Sequence, residues 1–124
     1  MQLLLAVIND PNKVDDVLAG FFEVGLRGAT VIPSEGMGRI LTHDIPIFAG
    51  LQTLVRGSRP QNRTLFSVVE DDQVDAAISV LQKVCGSMEE PATGIAMTVP
   101  LGRVVGLAPS LQADDEAEQA TDDA

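Results

Sequence analysis

Residues 64–86 read TLFSVVEDDQVDAAISVLQKVCG and decide the fold. The first six residues are rich in β-branched and aromatic side chains, which predicts a strand over Thr64–Val69. Apolar residues then recur at helical spacing, which predicts an amphipathic helix that ends at Gly86. The apolar stripe of that helix consists of Val74, Ala77, Ile78, Leu81 and Cys85. We expect Asp71 and Asp72 to cap it, since carboxylates near a helix amino terminus are stabilising.

The same order of elements occurs about 60 residues earlier in the chain. Gln2–Ile8 is an almost continuous apolar run, and the sequence Asn-Asp-Pro-Asn that follows it indicates the end of a strand. A second helical stripe follows, with Asp10 or Asn12 as the expected cap and Gly25 as the stop. That stripe consists of Val14, Val17, Leu18 and Phe21.

Three further segments complete the predicted sheet. Gly28–Pro33 and Gly94–Val99 are apolar and rich in β-formers, and Arg103–Leu107 is a candidate for a short fifth strand. Two split βαβ units back to back predict an α+β fold, the ferredoxin-like βαββαβ sandwich. This fold has a four-stranded antiparallel sheet with two helices on one face. We expect this domain to span residues 1–108.

One face of such a sheet has no helix to cover it. The first strand is apolar at every position from Leu3 to Ile8, so it has apolar residues for both faces. The simplest cover for the second face is another copy of the chain. The sequence therefore predicts a homo-oligomer.

A long excursion over about residues 37–61 separates the two halves. Compact domains rarely contain a loop of this length unless it is functional. Its apolar residues either pack on the oligomer, which we favour, or form a docking surface for a partner. A β-hairpin arm is the form we expect for it. The segment Gly36-Met37-Gly38-Arg39 opens the excursion, and Arg39 is the best candidate for a ligand-binding residue because glycines allow close approach and Arg supplies charge.

Charge and composition narrow the function. The net charge of −10 argues against nucleic acid as a partner. Six acids lie in the segment 109–124, so without that segment the charge is about −4, and we expect an acidic disordered tail there. The single Cys85 excludes an internal disulfide, and the short apolar amino-terminal run reads as a strand rather than a membrane segment. We expect a cytoplasmic protein with no membrane insertion.

The residue types give no support for catalysis or metal binding. His43 is the only histidine and has no second His or Cys at a suitable spacing, so no metal site is expected. One histidine in a loop also gives no recognisable pair of nucleophile and general base, so we assign no catalytic residue. Cys85 lies on a helical apolar stripe and is read as a small core residue.

Four segments resemble the PII nitrogen regulatory proteins. Gly28–Val31 (GATV) and Gly36–Arg39 (GMGR) are similar to the second strand and the start of the following loop in that family. Val68–Asp75 (VVEDDQVD) is similar to the junction of the third strand and second helix, and Lys13–Val17 (KVDDV) to the start of the first helix. The resemblance covers residues 2–107.

This resemblance implies a homotrimer that binds adenine nucleotides in clefts between subunits. It also implies that the 37–61 excursion is the T-loop, which such proteins present to enzymes, regulators or channels. Carried over to this chain, the effector-binding residues are Thr30, Gly36, Met37, Gly38, Arg39, Gly94 and Arg103. The function implied is signal transduction in nitrogen regulation by a protein that is not an enzyme.

The chain departs from the family pattern at the phosphate-binding positions. Ile95 stands where a lysine is expected, and Gly106 and Ala108 stand where two arginines are expected. Glu89 and Glu90 would repel a triphosphate, which needs cations or backbone N–H groups. We therefore expect ATP to bind poorly and favour AMP, ADP or another small anion, with no cofactor fixed by the residues.

Two hypotheses follow from the sequence. The first is a PII-like trimeric regulator whose loop controls a protein partner, such as a membrane transporter or a nitrogen-metabolism enzyme. The second is a trimeric structural or metal-tolerance module of the same fold with no nucleotide effector.

Overall fold

A computed structural model describes residues 1–41, 61–89 and 93–107. Its strands and helices, in chain order, are β1 (Gln2–Ile8), α1 (Val14–Glu23), β2 (Thr30–Ser34), the one-turn α2 (Met37–Arg39), β3 (Asn62–Val69), α3 (Val74–Cys85) and β4 (Gly94–Pro100). The hairpin arm and the acidic tail predicted above lie outside the described residues.

The four strands form one antiparallel sheet in the order β2-β3-β1-β4. β1 and β3 are the central strands, and each of them is followed by a helix. This is the order that two split βαβ units produce, so the α+β, ferredoxin-like prediction is confirmed.

The hydrophobic core lies between the helices and one face of the sheet. Strand residues alternate between faces, and on the helix side of β1 the side chains of Leu4, Ala6 and Ile8 are completely buried. The core consists of Leu4, Ala6, Ile8, Val14, Val17, Phe21, Leu26, Leu65, Val69, Ala77 and Leu81. Both predicted helical stripes supply members of this cluster, since Val17 and Leu81 are each fully buried.

The opposite sheet face, here called the open face, is apolar and partly exposed. Its members are Leu3, Leu5, Val7, Thr30, Ile32, Ser34, Asn62, Thr64, Phe66, Val68, Ile95, Met97 and Val99, as the register and the alternation of the strands require. Exposure is largest towards the edges, at 45% for Ile32, 52% for Ile95 and 44% for both Met97 and Val99. No helix among the described elements covers this face.

The capping of the helices differs in part from the prediction. Asp10 accepts the Asn12 N–H, as expected, and a single 3₁₀ turn precedes α1. Before α3, however, Glu70 is the cap, in a reciprocal capping box with Gln73. The side chain of Asp71 instead accepts a hydrogen bond from Gln2 of β1, because strand pairing brings the start of β1 next to the end of β3.

Two strand predictions need correction. Residues 103–107 form no strand, and the last backbone hydrogen bond between this part of the chain and the β1 side runs from the Leu101 N–H to the Met1 carbonyl. Gly106 at φ 87° also breaks the extended backbone there. The second strand begins at Thr30 rather than Gly28, because the register pairs Thr30 with Phe66 and leaves the preceding residues in the loop.

Candidate functional site

One end of the sheet brings several predicted site residues together. β2 ends there at Ser34, β3 begins there at Asn62, and β4 begins there at Gly94 beside Ile8. The GMGR segment is separated from β2 by Glu35 alone; Gly36 is the amino-terminal cap of the short helix α2, and the other three residues form it. The sheet topology therefore places the start and the end of the 37–61 excursion side by side.

Side chains join the two ends of the excursion. Ser34 Oγ donates to Asn62 Oδ1 at 2.5 Å and lies 2.8 Å from Thr64 Oγ1. Since Ser34 has a single proton, the Thr64 hydroxyl is the donor in the second bond. Asn62 is buried, and a Cβ added to Gly36 would lie 3.5 Å from its Nδ2 atom. The base of the excursion is thus a polar, hydrogen-bonded cluster at the edge of an apolar face.

Arg39 is held by an acid one helical turn earlier. Its Nη1 lies 2.7 Å from Glu35 Oε2, in an i,i+4 pair whose side chains are 25% and 42% exposed. A pair at this exposure contributes little to stability, about 0.5 kcal/mol or less. The contact with Glu35 does orient the guanidinium at the base of the excursion.

Gly94 allows a close approach of two backbones. Its φ is 144°, and a Cβ at this position would collide with the carbonyl oxygen of Val7. A side chain is therefore excluded where β4 begins next to the end of β1. The strand geometry therefore requires a glycine at position 94 whether or not Gly94 also contacts a ligand, as the sequence analysis predicts.

Thr30 lies elsewhere, in a surface cavity on the β2–β3 side of the open face. The cavity has a volume of about 240 Å³ and is lined by Arg27, Gly28, Ala29, Thr30, Phe66, Ser67, Val68 and Leu107. Thr30 is four residues before Ser34, which corresponds to about 13 Å along the strand. Within one chain, a ligand must span at least this distance to contact both Thr30 and the base of the excursion.

Three contacts fix the loop that forms one wall of the cavity. Ser67 Oγ donates to the Gly28 carbonyl at 2.5 Å, and Gln73 Nε2 donates to the Gly25 carbonyl at 3.1 Å. Arg27 Nη2 lies 3.0 Å from Glu70 Oε1. These bonds attach the loop between α1 and β2 to β3 and to the turn before α3, so this wall is held in place before any ligand binds.

Arg103 does not join the other predicted residues within one chain. Arg103 follows Pro100, which pairs with Gln2, whereas Gly94 pairs with Ile8 at the opposite end of β1 and Gly36 follows the end of β2 on that same side. The two ends are separated by the length of β1, roughly 20 Å for seven residues. Arg103 can complete a site with Arg39 only if it comes from another subunit.

The sequence reasoning missed most of the cavity lining. The sequence analysis assigned no binding role to Arg27, Phe66, Val68 or Leu107, although Arg27 lies in a Gly25–Gly28 segment three residues before a strand. This position of Arg27 close to glycines is the local sequence feature that could have identified it as a residue of a ligand site.

Other residue groups in the described parts of the chain give no second site. No group of three or more His, Cys, Asp or Glu side chains there could hold a metal ion, and His43 lies outside those parts. Burial raises the pKa of the Cys85 thiol, which fits its place against the core. In the same ranges, no helix has the length and apolar character that crossing a membrane requires.

Comparison with known proteins identifies the family. A search of curated proteins gave no match to this sequence. The family model of nitrogen regulatory protein P-II matches residues 1–109, which is most of the 124-residue chain. Together with the four-stranded sheet and its two covering helices, this match shows that the chain belongs to the nitrogen regulatory protein P-II family.

Proposed function

We propose that this chain works as a homotrimeric, non-enzymatic regulator. It senses a small effector at clefts between subunits and controls a partner protein through the 37–61 excursion. The observation that carries the proposal is the apolar open face, in a chain that belongs to a family of regulators. An exposed sheet face of this kind favours burial against further copies of the chain.

The location of Arg103 supports an effector site shared between subunits. Within one chain Arg103 and Arg39 lie at opposite ends of the sheet, so two cations can meet one anion only across an interface. A shared site also couples effector binding to assembly, because a ligand stabilises the form that contains its complete site. The partner is a protein, with a membrane transporter or a nitrogen-metabolism enzyme as the favoured types, and we place the regulator in the cytoplasm.

The effector we favour is AMP, ADP or a small anion rather than ATP. The cations among the effector-binding residues proposed above are Arg39 at the base of the excursion and Arg103 from a neighbouring subunit. Ile95, an exposed apolar residue next to the start of β4, stands where the family resemblance leads us to expect a phosphate-binding lysine. A more highly charged phosphate chain would therefore gain few additional partners.

Sedimentation equilibrium tests the assembly. The change Met97→Glu places a charge on the open face, on the edge strand β4, and we expect it to convert the trimer to monomers. Phe22→Glu is the matched control, because Phe22 is 62% exposed on α1, in the helix layer. A wild-type chain that is monomeric at micromolar concentration, or equal dissociation by both variants, contradicts the assignment of the open face.

A thermal-shift titration with AMP, ADP and ATP tests the effector. We expect stabilisation by AMP or ADP that is lost in Arg39→Ala and in Arg103→Ala and retained in the control Lys83→Gln on α3. Loss of the Arg39–Glu35 pair alone changes stability by about 0.5 kcal/mol or less, so reduced binding can be separated from reduced folding. If no nucleotide changes the melting temperature of a confirmed trimer, the structural or metal-tolerance module becomes the better description.

A further inference from the structure

Glu35 is an acid placed directly against the cation that we propose for effector binding. Its Oε2 lies 2.7 Å from Arg39 Nη1, and the two side chains are 42% and 25% exposed. An ion pair at this exposure adds little to the free energy of folding, so stability does not account for it. An acid beside an anion-binding arginine also weakens the attraction of that arginine for any anion. The general function leaves this acid unexplained.

The backbone on both sides of Glu35 is fixed by other contacts. Ser34, the residue before it, donates a hydrogen bond to the side chain of Asn62 on β3. Gly36, the residue after it, caps α2 and accepts the Ile40 N–H at 3.2 Å. These contacts keep the carboxylate close to the guanidinium at the base of the excursion when an anion approaches.

The distance between Glu35 and a ligand on Arg39 follows from the size of the guanidinium. An anion that binds this group either shares it with Glu35 or takes the place of the carboxylate. Sharing places the two negative groups roughly 6 Å apart, which is less than the Debye length of about 8 Å at physiological salt. Arg39 Nε is shielded from solvent, so the surroundings of the guanidinium screen charge no better than bulk water does.

The repulsion from Glu35 grows with the charge of the ligand. At about 6 Å and low ionic strength, each unit of ligand charge weakens binding roughly 2–3-fold by Coulomb's law in water. A phosphate monoester carries about two charges and a triphosphate about four, so the triphosphate loses more affinity. Arg63 lies at the same end of the sheet, but on the helix side of β3, where it donates to the Asn62 carbonyl at 3.0 Å. Glu35 is therefore in a position to determine how much charge a ligand of Arg39 carries.

We infer that Glu35 is a specificity-determining residue, which lowers the affinity of the Arg39 end of the sheet for polyanions and selects an effector of low charge. The inference rests on the proposed function in that Arg39 contacts the effector. It assigns the preference for AMP over ATP to a residue of the site itself, in addition to the cations that the effector-binding positions lack. Glu35 acts on the ligand directly, through its charge.

Isothermal titration calorimetry with AMP and ATP at about 0.01 M salt compares the wild-type chain with Glu35→Gln. The glutamine keeps an oxygen acceptor for Arg39 Nη1 and removes only the charge. We expect Glu35→Gln to bind AMP about fivefold and ATP about twentyfold more tightly than the wild type does. The ratio of ATP affinity to AMP affinity should therefore rise by about threefold or more. An unchanged ratio would show that Glu35 does not select by charge and would overturn the inference.

Two further acid-to-amide variants separate Glu35 from other causes. Glu23→Gln removes one charge from the exposed surface of α1, so it reports the effect of net charge alone. Glu89→Gln removes an acid of the segment before β4, which we expect from the sequence to repel a triphosphate. The affinity ratio should stay unchanged in Glu23→Gln and should rise less in Glu89→Gln than in Glu35→Gln. An equal rise in Glu23→Gln, or a larger rise in Glu89→Gln, would refute the assignment to Glu35.

Anions without a base make the result independent of the tests of the general function. Titrations with phosphate and tripolyphosphate are followed through the amide chemical shifts of Gly36 and Gly38 in the ¹⁵N-labelled protein. If no nucleotide stabilises the chain but Glu35→Gln binds tripolyphosphate about tenfold more tightly than the wild type, the inference stands and the nucleotide effector fails. If nucleotides stabilise a trimer through Arg39 while Glu35→Gln leaves the affinity ratio unchanged, only the inference fails. If Glu35→Gln binds neither nucleotides nor tripolyphosphate, the inference fails whatever the assembly of the chain.

Discussion

The two helices approach each other so closely at Gly20 that adding one methyl group has a calculable effect. A Cβ placed on Gly20 of α1 would lie 2.5 Å from Cγ1 of Val80 on α3 and 3.3 Å from its Cγ2. Carbon atoms in contact are normally about 3.5–4.0 Å apart, so the methyl group overlaps with Val80. The change Gly20→Ala must therefore move either the valine side chain or one of the helices.

Two opposing terms set the size of the effect. Alanine in a helix interior is about 1 kcal/mol more favourable than glycine, which stabilises the variant. Overpacking typically costs about 1–3 kcal/mol, and Val80 cannot turn away cheaply because a β-branched residue in a helix has one strongly preferred rotamer. The cost of overpacking is larger than the gain in helix propensity, so we expect Gly20→Ala to lower the free energy of unfolding by about 1 kcal/mol.

Removing the Val80 methyl groups should reverse the sign of the change in unfolding free energy caused by Gly20→Ala. In a Val80→Ala background the overlapping methyl groups are absent, so only the helix propensity remains and Gly20→Ala should stabilise by about 1 kcal/mol. The coupling free energy of the double-mutant cycle is then about 2 kcal/mol. The exposed neighbour Ser79 offers a matched control, because Gly20→Ala in a Ser79→Ala background should remain destabilising.

Urea unfolding followed by circular dichroism measures the four free energies. All variants must be compared at one protein concentration, since the stability of an oligomer depends on concentration. A coupling free energy below about 0.5 kcal/mol, or stabilisation by Gly20→Ala in both backgrounds, would show that the helices separate without cost and would refute the reasoning.

Three further predictions concern single contacts. The change Gly94→Ala should lower the free energy of unfolding by about 2 kcal/mol, because the new Cβ collides with the Val7 carbonyl and φ at this position is positive. Urea unfolding measures this, and a decrease below about 0.5 kcal/mol would contradict the prediction. The hydrogen bond from Gln2, with the amino terminus as the next cause, lowers the pKa of Asp71. The ionised Asp71 carboxylate therefore contributes stability above the ordinary Asp pKa, and this contribution is lost as the pH falls through the lowered pKa. The change Gln2→Leu should raise the Asp71 pKa, which an NMR titration measures. An unchanged pKa would assign the shift to the amino terminus alone. Ser67→Ala removes the donor to a backbone carbonyl of the cavity wall and should destabilise by about 1 kcal/mol in urea unfolding, whereas a neutral effect would mean that water replaces the hydroxyl.

Part of the candidate site could be predicted from local sequence. Gly36 and Arg39 were assigned to the start of the excursion, and the structure places them directly after β2. Gly94 was assigned to the beginning of the fourth strand, where it now lies beside Val7. Each of these positions depends on a strand boundary, and strand boundaries follow from apolar runs and breakers in the sequence.

The sequence by itself determined the strands, the two amphipathic helices and therefore the fold. The stripes that contain Val17 and Leu81 and the runs Gln2–Ile8 and Thr64–Val69 repeat one pattern twice, and few folds accommodate it. Periodicity is a local property of the chain, so it can be read without knowing which element lies next to which.

Only the tertiary structure decided which side chains share a site. The order β2-β3-β1-β4 and its register bring Arg27 and Phe66 to one cavity, place Arg103 at the far end of the sheet from Arg39, and give the cap of α3 to Glu70. The cavity alone joins residues up to 80 positions apart in the sequence, since Arg27 and Leu107 both line it. They depend on strand pairing and helix packing, and no local pattern in the sequence specifies these.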